Sequence, residues 1–214
     1  MPLAPVGQDV LAIILESIAD AWAHLKANHP VPLQVGLAAE ISALLVTRLN
    51  ESLNSDPLLS IFVSSVERGS ETVTFDGSKL EVRPDLQFSL TQQDKRFRLI
   101  GEAKIIDRPK KKTPALYREN GIARFVGGDY AWASREAIMV GYVRCNAKLD
   151  PDLLPGLSGF PEMQCNSQSL VPVVKPPIAA GNLGTTQHNR TFCYVHPTSA
   201  SPGAIDLWHL WLNV

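Results

Sequence analysis

The sequence is poor in cysteine and contains no long apolar run, and both shortages exclude classes of protein. Three cysteines among 214 residues are few, and odd in number, for the disulfide framework of a small secreted domain. The apolar stretch at residues 10–15 is followed by Glu16 and Asp20, so it falls short of the roughly 20 residues that cross a bilayer and lacks a basic leader. We therefore expect a cytoplasmic chain with no membrane partner.

An excess of charge is missing too. The 20 lysines and arginines nearly balance the 21 aspartates and glutamates, which gives a formal net charge of −1. A protein with this balance has no broadly basic surface, so contact with nucleic acid has to rest on a local cluster, a second subunit, a partner protein or a metal ion. Internal repeats, a P-loop, a dinucleotide-binding glycine pattern and a Ser/His/Asp arrangement are also missing, so none of those sites is predicted.

The sequence does contain two neighbouring segments that place acidic and basic side chains on one face of a strand. Residues 82–90 alternate between apolar and polar side chains, the period of a half-buried strand, and Asp85 lies on the polar face. In residues 97–106, Glu102 and Lys104 project to the same side because they are two positions apart. The pattern therefore predicts two strands with a shared polar face.

A hairpin with its turn in the polar residues 91–96 brings these two faces together. If it is symmetric, it places Leu90 opposite Phe97 and Asp85 opposite Glu102. Directly opposed side chains have Cβ atoms about 5 Å apart, so two carboxylates repel each other unless a cation lies between them. This register predicts a cation site.

Oxygen ligands of this kind favour Mg²⁺ or Mn²⁺ over zinc, and Mg²⁺ takes one or two carboxylates while keeping several waters. We expect Asp85, Glu102 and the backbone carbonyl of Ala103 to hold the metal. Lys104 is then placed to orient or deprotonate an attacking water and to neutralise charge on a phosphate. The alternative for Lys104 is a strand residue that only balances charge.

The spacing of these residues resembles a known motif. Pro84-Asp85, then sixteen residues, then Glu102-Ala103-Lys104 is similar to the pattern of the PD-(D/E)xK nucleases, the restriction-endonuclease-like superfamily. The resemblance implies a Mg²⁺-dependent endonuclease that hydrolyses phosphodiester bonds, most naturally in DNA, leaves a 5′-phosphate and acts in restriction of foreign DNA. Cleavage of RNA stays open as an alternative, as does a nucleic-acid-binding or assembly subunit that does not cut.

The resemblance also implies an α/β fold in which α-helices flank a mixed central β-sheet. In that superfamily a helix precedes three antiparallel strands, the second and third strands carry the site, and a helix and a further strand follow. The chain offers, in this order, a helix at 36–53, strands at 58–66 and 71–75, a turn at Asp76-Gly77, the two motif strands, a helix at about 119–134 and a buried strand at 137–145. The core of the predicted single domain, 1–214, is thus about residues 36–145.

Outside this core the signals are simpler. An amphipathic helix with its apolar stripe from Val10 to Leu25 ends before Pro30, and it is either a core helix or a dimer helix. Residues 146–187 are rich in Pro, Gly, Ser and Asn and predict a long irregular excursion. C-terminal strands are expected within 191–214, where the apolar segment 205–214 indicates a buried strand.

Many members of the superfamily carry a further acidic residue on the helix before the sheet. Glu40 borders the apolar stripe of the 36–53 helix, so the resemblance assigns it an additional catalytic and metal-binding role. The alternative is a solvated glutamate.

Phosphate contacts are expected just after the second motif strand. The densest positive cluster of the chain lies there and consists of Arg108, Lys110, Lys111 and Lys112. Such a cluster binds phosphates with an affinity that falls with salt, although a charge run also occurs as a solvated loop. The 119–134 helix adds Arg124 and Tyr130 as weaker candidates for contact with nucleic acid.

Overall fold

The computed structural model describes residues 3–69, 74–79, 82–94, 96–157, 165–166, 182–194 and 200–214. Within them the chain is an α/β protein whose mixed β-sheet is flanked by helices. The strands are β1 (Val63–Glu67), β2 (Leu86–Leu90), β3 (Leu99–Ile106), β4 (Glu136–Val143), β5 (Cys165–Asn166), β6 (Leu183–His188) and β7 (Ile205–Asn213). The helices are α1 (Gln8–Asn28), α2 (Pro30–Val35), α3 (Ala38–Ser55), α4 (Pro57–Phe62), α5 (Pro114–Tyr117), α6 (Ala123–Val126) and α7 (Leu149–Leu157).

The sheet has the strand order β1-β2-β3-β4-β7-β6-β5. Strands β1, β2 and β3 are antiparallel to one another in sequence, as predicted, whereas β3, β4 and β7 are parallel. Parallel neighbours need crossover connections. The crossover from β3 to β4 contains α5 and α6, and the connection from β4 to β7 contains α7, so the carboxyl ends of β3, β4 and β7 meet at one edge of the sheet.

Helices cover both faces of the sheet and create two apolar layers. On the first face, α1 and α3 pack against alternate residues of β2, β3 and β4, and Trp22 stacks on Tyr142 with ring centroids 5.3 Å apart. On the second face, α5, α6 and α7 pack against the other alternate residues, with Phe125 and Trp211 fully buried. Strands β3 and β4 are covered on both faces, and strands of this kind have nearly continuous apolar sequences. A charged residue within them is therefore unusual.

Several predicted elements are confirmed with small shifts. Helices occur at α1 and α3, strands at β3, β4 and β7, and Gly77 adopts a left-handed φ of 70° in the predicted turn. The prediction of a strand across 58–66 is wrong in its first half, where α4 forms instead. The Asp56 carboxylate accepts hydrogen bonds from the backbone N–H groups of Leu58 and Leu59, and Pro57 favours the first helical turn. The predicted strand residues 71–73 lie outside the described residues.

Corrections elsewhere also have local causes. The strand predicted from residue 82 begins only at Leu86, and the helix predicted for 119–134 is replaced by α5, a π-helical segment at Arg118–Ile122, and α6. This helix ends at Gly127 and Gly128, and the latter has φ of 82°, a conformation that favours glycine. Pro30 does not only end α1, because it also begins α2, where its fixed φ suits the first turn.

The described part of the C-terminal third is more regular than predicted. Of the expected irregular excursion, residues 158–164 and 167–181 lie outside the described residues, and the rest contains α7, the short strand β5 and most of β6. Residues 191–194, which were expected to be strand, are not strand. Residues 195–199 lie outside the described residues. No helix in the described part of the chain is long and apolar enough to cross a membrane.

A chain of buried polar groups crosses the second apolar layer. The Tyr117 hydroxyl lies 3.0 Å from Nδ1 of His209, and the Thr186 hydroxyl lies 2.7 Å from Nε2 of His209 and 2.6 Å from Nε2 of His188. All four side chains are at most 1% exposed. Burial lowers the pKa of His188 to about 4 and, with a contribution from His188, that of His209 to about 3, so both rings are neutral in the folded protein.

We expect the change His188→Gln to make the protein less sensitive to acid. Unfolded histidine binds a proton below pH about 6.5, whereas buried His188 does so only near pH 4, so stability from this group falls as the pH drops through this window. Glutamine keeps a polar atom near Nε2 but does not titrate. Urea unfolding at pH 7 and pH 4.5 should show that the variant loses less stability than wild type, by roughly 2 kcal/mol.

His24→Gln is the matched control, because His24 lies exposed on α1. It should follow wild type at both pH values. Equal pH dependence in wild type and His188→Gln would show that His188 does not titrate as its burial requires.

Candidate active site on strands β2 and β3

The hairpin formed by β2 and β3 has the predicted register. Leu86 pairs with Gly101 and Phe88 pairs with Leu99, and the same offset sets Asp85 against Glu102. Asp85 itself lies one residue before β2 begins. The two carboxylates therefore lie on neighbouring segments of the chain, Asp85 just before β2 begins and Glu102 where β3 continues past that point.

Asp85 is held by the backbone of β3. Its Oδ2 accepts a hydrogen bond from the Ala103 N–H at 2.9 Å. The N–H and C=O groups of one residue in a strand point to the same neighbouring strand. The Ala103 carbonyl consequently faces the side on which Asp85 lies, beside the residues that precede β2.

Glu102 is the most unusual residue of the site. It is 2% exposed although it carries a carboxylate. Its Oε1 accepts a hydrogen bond from the Lys104 ammonium group and lies 3.7 Å from the Arg124 guanidinium. Its Oε2 is buried and has no hydrogen-bond partner among the described residues. A buried oxygen without a partner is costly, which marks this atom as a position for a ligand.

The surroundings of Glu102 shift its protonation into the neutral range. Burial, followed by the negative charge of Asp85, raises the pKa of Glu102 to about 7, while Lys104 and Arg124 act in the opposite direction. Near neutral pH this carboxyl group is therefore divided between its protonated and ionised forms. Carboxyl groups perturbed in this way by burial and by a specific charge are typical of functional sites.

Lys104 lies on the same face as Glu102, as predicted, and its side chain is 23% exposed. The π-helical segment packs directly over it. A Cβ atom at Gly121 would lie 2.5 Å from Met139 Cε and 3.7 Å from Lys104 Cγ, so a larger residue here would require the flexible end of Met139 to move. Gly121 was not among the predicted site residues, although a glycine inside a helical pattern is a signal for close packing.

Arg124 and Tyr130, both predicted to contact nucleic acid, lie at Glu102. Arg124 donates a hydrogen bond to the Tyr130 hydroxyl and lies over its ring at 5.3 Å from the centroid. Arg124 keeps 41% of its side chain exposed and remains available to a ligand. Tyr130 is 1% exposed and packs edge-on against Phe125, so the prediction of a surface contact is wrong for this ring, which supports Arg124 instead.

Glu40 has a different role from the one predicted. Its Oε2 accepts a hydrogen bond from the Leu37 N–H at 2.7 Å, at the start of α3, and the residue is exposed. A carboxylate in the first helical turn satisfies a free N–H group and interacts favourably with the helix dipole. The described residues contain no cluster of three or more acidic, histidine or cysteine side chains suited to a metal. The structure therefore does not bring Glu40 together with Asp85 and Glu102.

The basic cluster forms a tight turn after β3, and half of its charges are paired. Arg108 binds Asp152 of α7, and Lys110 lies 3.6 Å from Asp107. Lys111 is exposed with a left-handed φ of 58°, and Lys112 is half-buried. Neither Lys111 nor Lys112 forms an ion pair within the described part of the chain, so these two charges are the ones available to a phosphate.

Comparison with profiles of known protein families, with curated protein sequences and with solved structures finds no match to this chain. The site therefore has to be interpreted from its own geometry.

We expect Glu102→Gln to stabilise the protein at alkaline pH. The pKa of Glu102, raised to about 7, means that ionising the folded protein costs more than ionising the unfolded chain, whose glutamates titrate near pH 4.3. The stability from this group is present at low pH and lost as the pH rises through 7. The variant should gain roughly 3 kcal/mol over wild type at pH 8 relative to pH 4.5, an upper estimate.

Urea unfolding at the two pH values measures this difference. Glu51→Gln, at an exposed position on α3, serves as the control and should show no such pH-dependent gain. If the difference in stability between Glu102→Gln and wild type is the same at pH 8 and pH 4.5, the carboxylate is not held at a cost.

Proposed function

We propose that this protein is a Mg²⁺-dependent nuclease of the restriction-endonuclease-like type, acting on phosphodiester bonds in DNA. The observation that carries the proposal is Glu102, a buried carboxylate with one oxygen that has no partner among the described residues, beside Asp85 and Lys104. A structural domain gains nothing from such an arrangement, since burying a carboxyl oxygen without a partner destabilises the fold.

The residues present fit a divalent metal ion. Asp85, Glu102 and the Ala103 carbonyl would hold it, because the Oε2 atom of Glu102 has no partner in the described part of the chain and the Ala103 carbonyl faces the Asp85 side. Two carboxylates fall within the one or two that Mg²⁺ usually takes while keeping several waters. When bound, such an ion supplies a water of lowered pKa and neutralises charge on the phosphate.

Lys104 and Arg124 are the two positively charged side chains at the candidate site. In the structure both lie against Oε1 of Glu102. Each is partly exposed, and each can turn to an anionic oxygen of a bound phosphate without leaving the site. Lys104 is placed to orient an attacking water, while Arg124 stabilises the additional negative charge that develops on the phosphate as the bond breaks.

The order of elements supports the fold type proposed here. Helix α3 precedes three antiparallel strands, the second and third of these carry Asp85 and Glu102, the α5–α6 crossover follows, and β4 lies beside β3. DNA as the polymer, a cytoplasmic role in restriction of foreign DNA, and a homodimer or partner subunit all belong to the proposal. The near-neutral chain is consistent with a need for a second subunit.

Cleavage should require a metal ion and the three central residues. Purified protein incubated with supercoiled, linear and single-stranded DNA and with RNA, each with Mg²⁺, Mn²⁺ or EDTA, should cut DNA only when a metal is present. Asp85→Asn and Glu102→Gln should abolish cleavage. Lys104→Ala should slow it by about 100-fold or more. Gel electrophoresis gives the rates, and end-labelling identifies a 5′-phosphate product.

Metal binding separates the roles of these variants. Isothermal titration with Mn²⁺ should show binding lost in Asp85→Asn and Glu102→Gln but retained in Lys104→Ala. The control Arg96→Gln removes an exposed charge at the opposite end of β3 and should cleave normally. Full activity in any of the three site variants removes that residue from the mechanism, and binding of DNA without cleavage under every condition would indicate a non-cutting subunit. Cleavage of RNA alone would move the proposal to a ribonuclease.

The turn after β3 should contribute to the salt dependence of DNA binding. Lys111→Asn, which suits the left-handed backbone, and Lys112→Gln remove the two charges without an ion pair. Each should lower the slope of log affinity against log salt by about 1 if it contacts a phosphate. Fluorescence anisotropy with labelled DNA in EDTA measures the slope, and Arg96→Gln is again the control. Unchanged slopes in both variants would leave this turn as a solvated loop.

A further inference from the structure

A separate cavity of about 1090 Å³ opens at the edge of the sheet where β3, β4 and β7 end. Its lining includes Lys110 after β3, Arg144 after β4 and Asn213 at the end of β7. In open α/β sheets, small ligands bind in the crevice outside the carboxyl ends of parallel strands. Asp107 also lines the cavity. It follows Lys104 by three residues, so the two are separated by about 10 Å along the chain at roughly 3.3 Å per strand residue. The cavity is therefore distinct from the candidate active site.

Arg144 is a rigid cation in this lining. Its Nε donates to the Leu33 carbonyl at 2.7 Å and its Nη2 donates to the Gly36 carbonyl at 2.6 Å. These two bonds fix the guanidinium plane, and no carboxylate forms an ion pair with it within the described residues. Among the described residues its Nη1 has no acceptor, and a fixed guanidinium binds phosphate oxygens with little loss of side-chain freedom.

Two lysines add charge around Arg144. Lys148 is exposed and forms no ion pair in the part of the chain that the structure describes, and Lys110 lies 3.6 Å from Asp107. Asp150 is the other acidic residue of the lining. Because the three cations outnumber these two carboxylates, the cavity favours an anion, while Asp150 remains as an acceptor for hydroxyl groups of a ligand.

The cavity is also much larger than a phosphate and presents side-chain amides. Gln34, Asn146 and Asn213 line it and are exposed. Amides offer both donors and acceptors, which matches the hydrogen-bonding edges of a base. A ligand that combines an anionic group, hydroxyl groups and a heterocycle uses all three kinds of lining residue.

We infer that this cavity binds a phosphorylated nucleotide, with its phosphate on Arg144, Lys110 and Lys148 and its base among the amides. The nucleotide is either a free nucleoside monophosphate or the 5′-phosphorylated end of a nucleic-acid strand. This inference does not rest on the nuclease proposal, since the binding requires neither Asp85 nor Glu102.

The test measures binding in EDTA, where metal-dependent cleavage cannot occur. Isothermal titration of the whole protein with adenosine 5′-monophosphate should give a saturable one-to-one isotherm, and adenosine and inorganic phosphate should each bind at least tenfold more weakly. Lys148→Gln should weaken binding about tenfold, the effect of losing one charge-assisted contact, and the double change with Lys110→Gln should weaken it further. Arg96→Gln, at the opposite end of β3, should bind as wild type does.

A competition experiment identifies the source of the nucleotide. A short single-stranded oligonucleotide carrying a 5′-phosphate that displaces the monophosphate, when its 5′-hydroxyl counterpart does not, assigns the cavity to strand ends. Monophosphate binding that neither oligonucleotide displaces assigns it to a free nucleotide. No saturable binding of adenosine 5′-monophosphate at millimolar concentration, or affinity within twofold of wild type in the double variant, would overturn the inference. The loss of cleavage in Glu102→Gln has no bearing on either result.

Discussion

The burial of one carboxylate within a strand that is covered on both faces is the constraint on which the candidate site depends. Strand β3 lies between α1 and α3 on one side and the α5–α6 crossover on the other, so Glu102 loses nearly all contact with water. Desolvation and the nearby Asp85 disfavour its ionised form, and only Lys104 and Arg124 oppose them. This balance keeps the pKa of Glu102 near 7, and it leaves one oxygen for which the described residues supply no partner.

The crossover above β3 is shaped by this same constraint. Gly121 lies where an added Cβ atom would press on the end of the Met139 side chain and contact Lys104, so its small size allows the π-helical segment to pack closely over β3. About one turn later Arg124 reaches Glu102, and Arg124 is held there by its hydrogen bond to the Tyr130 hydroxyl. A π-helical segment adds a residue to a turn and occurs often at functional sites. Here it brings a second cation to a carboxylate that would otherwise have only one.

Polar groups lie at different places on the sheet, depending on whether neighbouring groups or solvent supply their hydrogen bonds. The candidate site lies within β3, where burial raises the cost of each unpaired atom. On the same face, Tyr117, Thr186, His188 and His209 form a hydrogen-bonded chain with neutral histidines. At the carboxyl edge, the lysines and amides remain exposed around Arg144. One sheet thus holds a buried charged site, a buried neutral chain and an open cationic cavity.

The sequence alone determined the elements whose signals are local. Strict alternation fixed the β2–β3 register, which set Asp85 against Glu102, and the two-residue spacing placed Lys104 beside Glu102. It did not determine what depends on distant partners. The capping of α3 by Glu40, the burial of Tyr130, the pairing of Arg108 with Asp152 and the burial of His188 were missed. In each case the side chain's role is set by which helix or strand covers it, and only tertiary packing decides that.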